Sequence, residues 1–167
     1  MSVARPTLPD WVLAQGVVAG DEWILVPGDR IRETLHALKE QGYRSYVFMT
    51  CVDHLATPVV EPPPGRYELV YQLRNMEIHH ELRVRVYLPE SAARIASAHD
   101  IFAPANWDER ETWDLFGIEF EGHPNLTRIL MPEDWVGHPL RRDFPVGGEP
   151  VDFSEEHETW QTAPPEA

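Results

Sequence analysis

Two stretches near the middle of the chain alternate with period two. In residues 67–73, Tyr67, Leu69, Tyr71 and Leu73 alternate with Glu68, Val70 and Gln72. In residues 82–88, Leu82, Val84, Val86 and Leu88 alternate with Arg83, Arg85 and Tyr87. Successive strand residues point to opposite faces, so each stretch predicts a half-buried strand. The short polar link at Asn75-Met76-Glu77 joins them as an antiparallel hairpin. Upstream, Trp23-Ile24-Leu25-Val26 reads as a short strand and Pro27-Gly28 as a turn. Asp29 is placed to cap a helix carrying Ile31, Leu35 and Leu38, and Gly42 is placed to stop it. Residues 43–52, rich in aromatic and β-branched side chains, read as another strand, and Pro58 to Gly65 as a loop. Downstream, residues 91–103 are ambiguous: Ala-rich patches suggest helix, but Pro104 interrupts them. Asn106 with Glu109 three residues on is an N-cap pattern, predicting a helix from Trp107 to Phe116 that ends at Gly117. The expected fold is α+β: a mainly antiparallel sheet of about four strands with helices on one face.

The pattern changes after residue 118, which divides the chain into an α+β core (1–118), an extended arm (119–150) and an acidic tail (151–167). Pro124, Pro132, Pro139, Pro145 and Pro150 break the arm, yet it carries Leu126, Ile129, Leu130, Met131, Trp135, Val136, Leu140, Phe144 and Val146. An irregular ribbon cannot pair its own backbone and build a core, yet each such side chain gains about 1.5–3 kcal/mol on burial. Two placements satisfy both constraints: a strap over the chain's own sheet, or an arm lying on another protein.

Composition narrows the function. No apolar run reaches the roughly 18–20 residues of a membrane span, and residues 1–9 have no signal-like apolar stretch, so a cytoplasmic protein is expected. The net charge of −14, with 28 acids against 14 bases, argues against phosphate-backbone binding. Cys51, the single cysteine, lies in an apolar strand pattern and reads as a buried, inert thiol. P-loop, GxSxG, GxGxxG and HExxH motifs are absent. His123 and His138, each between glycine and proline, could join Asp143 as metal ligands, but turn histidines are the simpler reading. Carboxylates Asp108, Glu109, Glu111 and Asp114 could do acid–base work, or could form a solvated helix face.

The segment Glu109-Arg110-Glu111-Thr112-Trp113-Asp114-Leu115-Phe116-Gly117-Ile118 is followed by Gly122-His123-Pro124-Asn125-Leu126 and by Arg128-Ile129-Leu130-Met131-Pro132-Glu133-Asp134-Trp135. Then comes Gly137-His138-Pro139-Leu140-Arg141-Arg142-Asp143-Phe144-Pro145. Over residues 106–146 this run closely resembles the C subunit of NADH-quinone oxidoreductase, respiratory complex I. Thr127 departs from the family pattern, which favours a basic residue or proline there; Arg128 beside it supplies the charge. Such proteins often carry a longer tail, whose contacts are not expected of a chain ending at Ala167, and no fusion to the neighbouring D subunit is expected.

The resemblance implies a peripheral, hydrophilic-arm subunit on the cytoplasmic side of the inner membrane. It implies no bound flavin, cluster or metal, no catalytic residue in the chain, and packing against the D subunit, which shapes the quinone pocket together with the B subunit. The whole complex passes electrons from NADH to quinone and pumps protons. Arg110 and Asp114, four apart, can share one helix side and aim the arm, while Glu109 and Glu111 point elsewhere. Trp135, Arg141 and Arg142 are the expected interface anchors, in a partner-facing set completed by Glu109, Arg110, Glu111, Asp114, His123, Arg128, His138 and Asp143. The alternatives are a related module of a membrane-bound hydrogenase-type complex and a small metal-dependent hydrolase.

Overall fold

The computed structural model describes residues 6–56 and 63–145. Its elements run β1 (Ala14–Val18), β2 (Asp21–Leu25), a 3-10 turn (Gly28–Arg30), α1 (Ile31–Glu40), β3 (Ser45–Asp53), β4 (Tyr67–Asn75) and β5 (His80–Leu88). They continue through a second 3-10 turn (Glu90–Ala92), β6 (Arg94–Ala96), α2 (Ala105–Phe116) and β7 (Glu119–Glu121). The fold is α+β. The main sheet has five strands, not four, in the order β1-β2-β5-β4-β3; its pairs are antiparallel except for β2 alongside β5. A second sheet joins β6 and β7 in parallel, so residues 119–121 of the expected arm pair with the core.

The added strand is β1. It turns into β2 through Ala19 (φ 54°) and Gly20 (φ 96°). Two positive φ values in a two-residue link make the primed turn that suits a twisted hairpin. Two expected helix caps are also corrected. Asp29 lies in the 3-10 turn, and Arg30 is the N-cap of α1. Asn106 is the second residue of α2, whose N-cap is Pro104 without a side-chain bond. Glu109 cannot close a capping box because its carboxyl is engaged in the core.

The alternation of the central hairpin sorts its faces. Tyr67, Leu69, Tyr71, Leu73, Leu82, Val84, Val86 and Leu88 join Ile31, Leu35, Leu38, Phe102, Leu115 and Phe116 in one core beneath the helices. Cys51 is buried there, and burial pushes its thiol up to about 12, which removes it as a nucleophile. In β3 a register shift between Tyr46 and Phe48 leaves Val47 as a bulge. Asp108 of α2 satisfies the distorted edge, accepting from the Met49 N–H and the Tyr46 hydroxyl, each at 2.8 Å. That contact fixes α2 against β3 and sets where its C-terminus lies.

Candidate functional site

The last turn of α2 is the centre from which residues 122–145, here the strap, are organised. Asp114 is fully buried. Its Oδ2 accepts three consecutive backbone N–H groups, Ile129 (3.0 Å), Leu130 (2.8 Å) and Met131 (2.9 Å), and its Oδ1 accepts the Arg128 guanidinium at 2.5 Å. Burial by itself would raise this carboxyl; the N–H groups of Met131, Ile129 and Leu130 together with Arg128 overcome it and hold it at about 2. One turn earlier, Arg110 donates to the Thr127 carbonyl and hydroxyl and to the Arg128 carbonyl, at 3.0–3.1 Å. Arg110 and Asp114 therefore grip the same segment, 127–131, from one side of the helix.

The helix end is completed by the strap. An α-helix leaves its final carbonyls without intrahelical partners, and cations are favoured there. Here the Asp114 carbonyl accepts His138 Nδ1 at 2.9 Å, the Leu115 carbonyl accepts the Leu140 N–H at 3.0 Å, and the Phe116 carbonyl accepts Arg141 Nε at 2.6 Å. Gly117 takes φ 73°. A Cβ on it would lie 2.5 Å from both His138 and Arg141, so glycine serves the turn and the close approach together. Arg128 also donates to the Trp135 and Gly137 carbonyls, closing residues 128–137 into a loop.

The far end of the strap is tied to the sheet. Arg66 donates to both oxygens of buried Asp53, to both oxygens of Asp143 and to Glu90. Asp53 also accepts the Arg142 N–H at 3.0 Å. Against burial, which would raise it, Arg66 and the Arg142 and Leu55 N–H groups hold the Asp53 carboxyl at about 2.

The expected interface residues fall into groups. Arg110, Asp114, Arg128, His138 and Arg141 meet at the end of α2. Trp135 stacks on Phe144, with ring centroids 6.3 Å apart. Asp143 is joined to Arg66, and the Arg142 side chain, exposed, reaches the Leu55 carbonyl at 3.4 Å. Glu111 is exposed, whereas Glu109 is buried beside Ser97 and Ala98. His123 holds the Asn106 carbonyl at the start of α2 and His138 the Asp114 carbonyl at its end, about 12 Å apart by helical rise. Among the described residues no group of three or more His, Cys, Asp or Glu is placed to hold a metal ion.

Arg128, His138 and Arg141 of the strap turn inward to α2, whereas several of its apolar side chains face out. Val136 is 88% exposed, Leu130 59% and Leu140 51%, with Ile129 and Trp107 also exposed. Sequence reasoning had no signal for this inversion, since strap side chains follow no period. It also missed the Asp53–Arg66 anchor, whose members reach the strap across some 77–89 residues.

Fold and site together define a class: an α+β module whose C-terminal strap is clasped to a helix end, leaving Leu130, Val136 and Leu140 exposed on its outside. The family model described as the respiratory-chain NADH dehydrogenase 30 Kd subunit matches residues 24–150. The NADH-quinone oxidoreductase C subunit of Acidothermus cellulolyticus is 38% identical over 156 residues, covering 92% of this chain and 79% of that protein. A Yersinia pestis protein whose name joins the C and D subunits of NADH-quinone oxidoreductase is 35% identical over 142 residues, covering 83% of this chain and 24% of the longer protein. The solved trypsin-resistant fragment of Nqo5 superposes with a TM-score of 0.60 at 36% identity, covering 64% of this chain and 83% of the fragment. The chain belongs to the respiratory-chain NADH dehydrogenase 30 Kd subunit family and is a subunit of an NADH-quinone oxidoreductase complex. No helix among the described residues is long and apolar enough to cross a membrane.

Proposed function

We propose that this chain is a non-catalytic peripheral-arm subunit that supports the quinone-site D subunit, on which it docks through the outer ridge of its strap. It works on the cytoplasmic side of the inner membrane and binds no cofactor, metal or nucleic acid of its own. The electron transfer from NADH to quinone, and the coupled proton translocation, take place on other subunits. The observation that carries this reading is the inverted strap. Asp114, Arg110 and Arg128 satisfy its backbone from within, His138 and Arg141 bond the last carbonyls of α2, and Leu130, Val136 and Leu140 are left in water. A ribbon held rigid costs little further ordering on binding, and large apolar side chains left exposed on it mark an interaction surface. The Yersinia pestis relative supports the choice of partner, because one polypeptide there carries both the C and the D names.

Co-expression of the full chain with the D subunit, followed by size exclusion, tests the proposal. Co-elution at equal stoichiometry is expected, and so is its loss in the variant Leu130→Ser/Val136→Ser/Leu140→Ser with unchanged circular dichroism. Separate peaks for the wild-type chain and a folded D subunit would overturn it.

A further inference from the structure

A second polar cluster lies away from the strap ridge, on the opposite side of α2 from Asp114. Glu109 is fully buried. Its Oε1 accepts the Ala98 N–H at 2.6 Å, and its Oε2 is hydrogen-bonded to the Ser97 hydroxyl. That hydroxyl lies 3.1 Å from His99 Nδ1 and also accepts the His99 N–H at 3.3 Å. His99 is only partly buried, so the row Glu109–Ser97–His99 leads from the core to the surface.

The valences allow two complete arrangements. A serine hydroxyl has one hydrogen and two acceptor sites. If Glu109 is protonated, its O–H donates to Ser97, and the Ser97 hydrogen goes to a His99 Nδ1 that carries none. If Glu109 is ionised, the Ser97 hydrogen goes to the carboxylate, and His99 Nδ1 must carry a hydrogen and donate to Ser97. Each arrangement satisfies all three groups. With hydrogens on both Glu109 and Nδ1, the Ser97 hydrogen has no acceptor within the row.

We propose that Ser97 is a reversible hydrogen-bond connector that links the protonation of buried Glu109 to the tautomer of His99, at the edge of the solvent. Loss of one proton from Glu109 reverses both hydrogen bonds of the row and moves the hydrogen of a neutral His99 ring from Nε2 to Nδ1. This device stands apart from the docking ridge and does not rest on it.

The surroundings place the acid where the linkage operates. His123 Nε2 is 3.9 Å from Glu109 Oε2, with both side chains sealed from solvent. His123 is held neutral: Nε2–H donates to the Asn106 carbonyl, and Nδ1 accepts the Asn125 N–H at 3.1 Å. Arg32 of α1 acts on Glu109 from a distance, but its fork is occupied by both oxygens of Asp100, which itself opposes ionisation of Glu109. The hydroxyls of Tyr46 and Tyr71 face the same interior from β3 and β4. Burial raises the Glu109 carboxyl to about 7, against the Ser97 and Ala98 donors that lower it.

Nitrogen-15 and carboxyl carbon-13 NMR on the labelled full chain tests the linkage. At about pH 9, where a histidine ring is ordinarily neutral, wild-type His99 is expected as the Nδ1–H tautomer. In Glu109→Gln the Ala98 N–H fixes the amide oxygen, so the amide N–H donates to Ser97 permanently. His99 is then expected as the Nε2–H tautomer at the same pH, and adding Ser97→Ala to each protein should erase this difference between the wild type and Glu109→Gln. In the wild-type protein alone, the Nε2-to-Nδ1 exchange of the His99 ring hydrogen should follow the ionisation of the Glu109 carboxyl. The same tautomer in wild type and Glu109→Gln, or a Glu109 carboxyl titrating in the usual acidic range, would overturn the proposal. Should a variant fail to fold, the wild-type titration decides alone.

Discussion

At the scale of single residues, buried carboxylates divide into two kinds with opposite consequences for pH. Asp114 and Asp53 are held at about 2, below the ordinary 3.8. A carboxyl whose folded value is depressed stabilises the fold above its unfolded value and loses that contribution as pH falls through the folded one. Each aspartate is expected to contribute about 2 kcal/mol that disappears between about pH 4 and pH 2. Glu109, raised to about 7 from 4.5, works the other way. Its neutral form is favoured by folding, so stability should decline by about 3 kcal/mol as pH rises from about 4.5 through 7. Urea unfolding across this range should therefore give a maximum at mildly acidic pH, and Glu109→Gln should remove the decline on its alkaline side. A flat profile between about pH 5 and 8 in the wild-type chain would show that Glu109 ionises without cost. Asp114→Asn is expected to cost about 3 kcal/mol, because it leaves Arg128 without its counter-charge at a buried site; the urea midpoint reads the loss.

At the scale of elements, α2 and the strap are one unit joined at a helix end. Residues 138–141 supply the donors that the last turn of the helix lacks, so the helix terminus and the ribbon stabilise one another. Gly117→Ala tests this coupling. It forces an L side chain into φ 73° at about 1–2 kcal/mol and drives a methyl into His138 and Arg141. The expected outcome is a lower melting temperature together with faster tryptic cleavage after Arg128, Arg141 and Arg142. A lower melting temperature with unchanged cleavage would separate the turn from the strap. Much of this unit was legible in the sequence. The spacing of Arg110 and Asp114 announced a shared side, and Gly117 announced a stop. The inward turn of Glu109 was not legible, because a carboxylate in an acidic helix looks the same whether its partners are water or the N–H of a distant loop. Strand β1 was missed because Ala14-Gln15-Gly16 has weak strand propensity; its partner β2 and the positive-φ turn at Ala19-Gly20 make the strand.

At the scale of the whole molecule, the question is which surface meets a partner in a chain with a net charge of −14. The arginines that sequence alone marks as anchors differ in what remains free. Arg141 is occupied by the Phe116 carbonyl and lies over the Tyr67 ring, whereas the Arg142 side chain is exposed and reaches the Leu55 carbonyl at 3.4 Å. The strap ridge instead offers Leu130, Val136 and Leu140, which gain from being covered whatever the salt concentration. Exposed charge pairs weaken as the screening length shrinks from about 10 Å at 0.1 M salt toward about 3 Å at 1 M, but apolar burial does not. Capture of the D subunit through the ridge should therefore change by less than about threefold between these salt concentrations, as read by calorimetry or surface-bound capture. Docking through arginine–carboxylate contacts should instead weaken by about tenfold or more over the same range, and Arg142→Ala should then abolish most of the salt dependence. The two outcomes assign the interface to different sides of the same ribbon: the oily ridge facing water, or the guanidinium beside it.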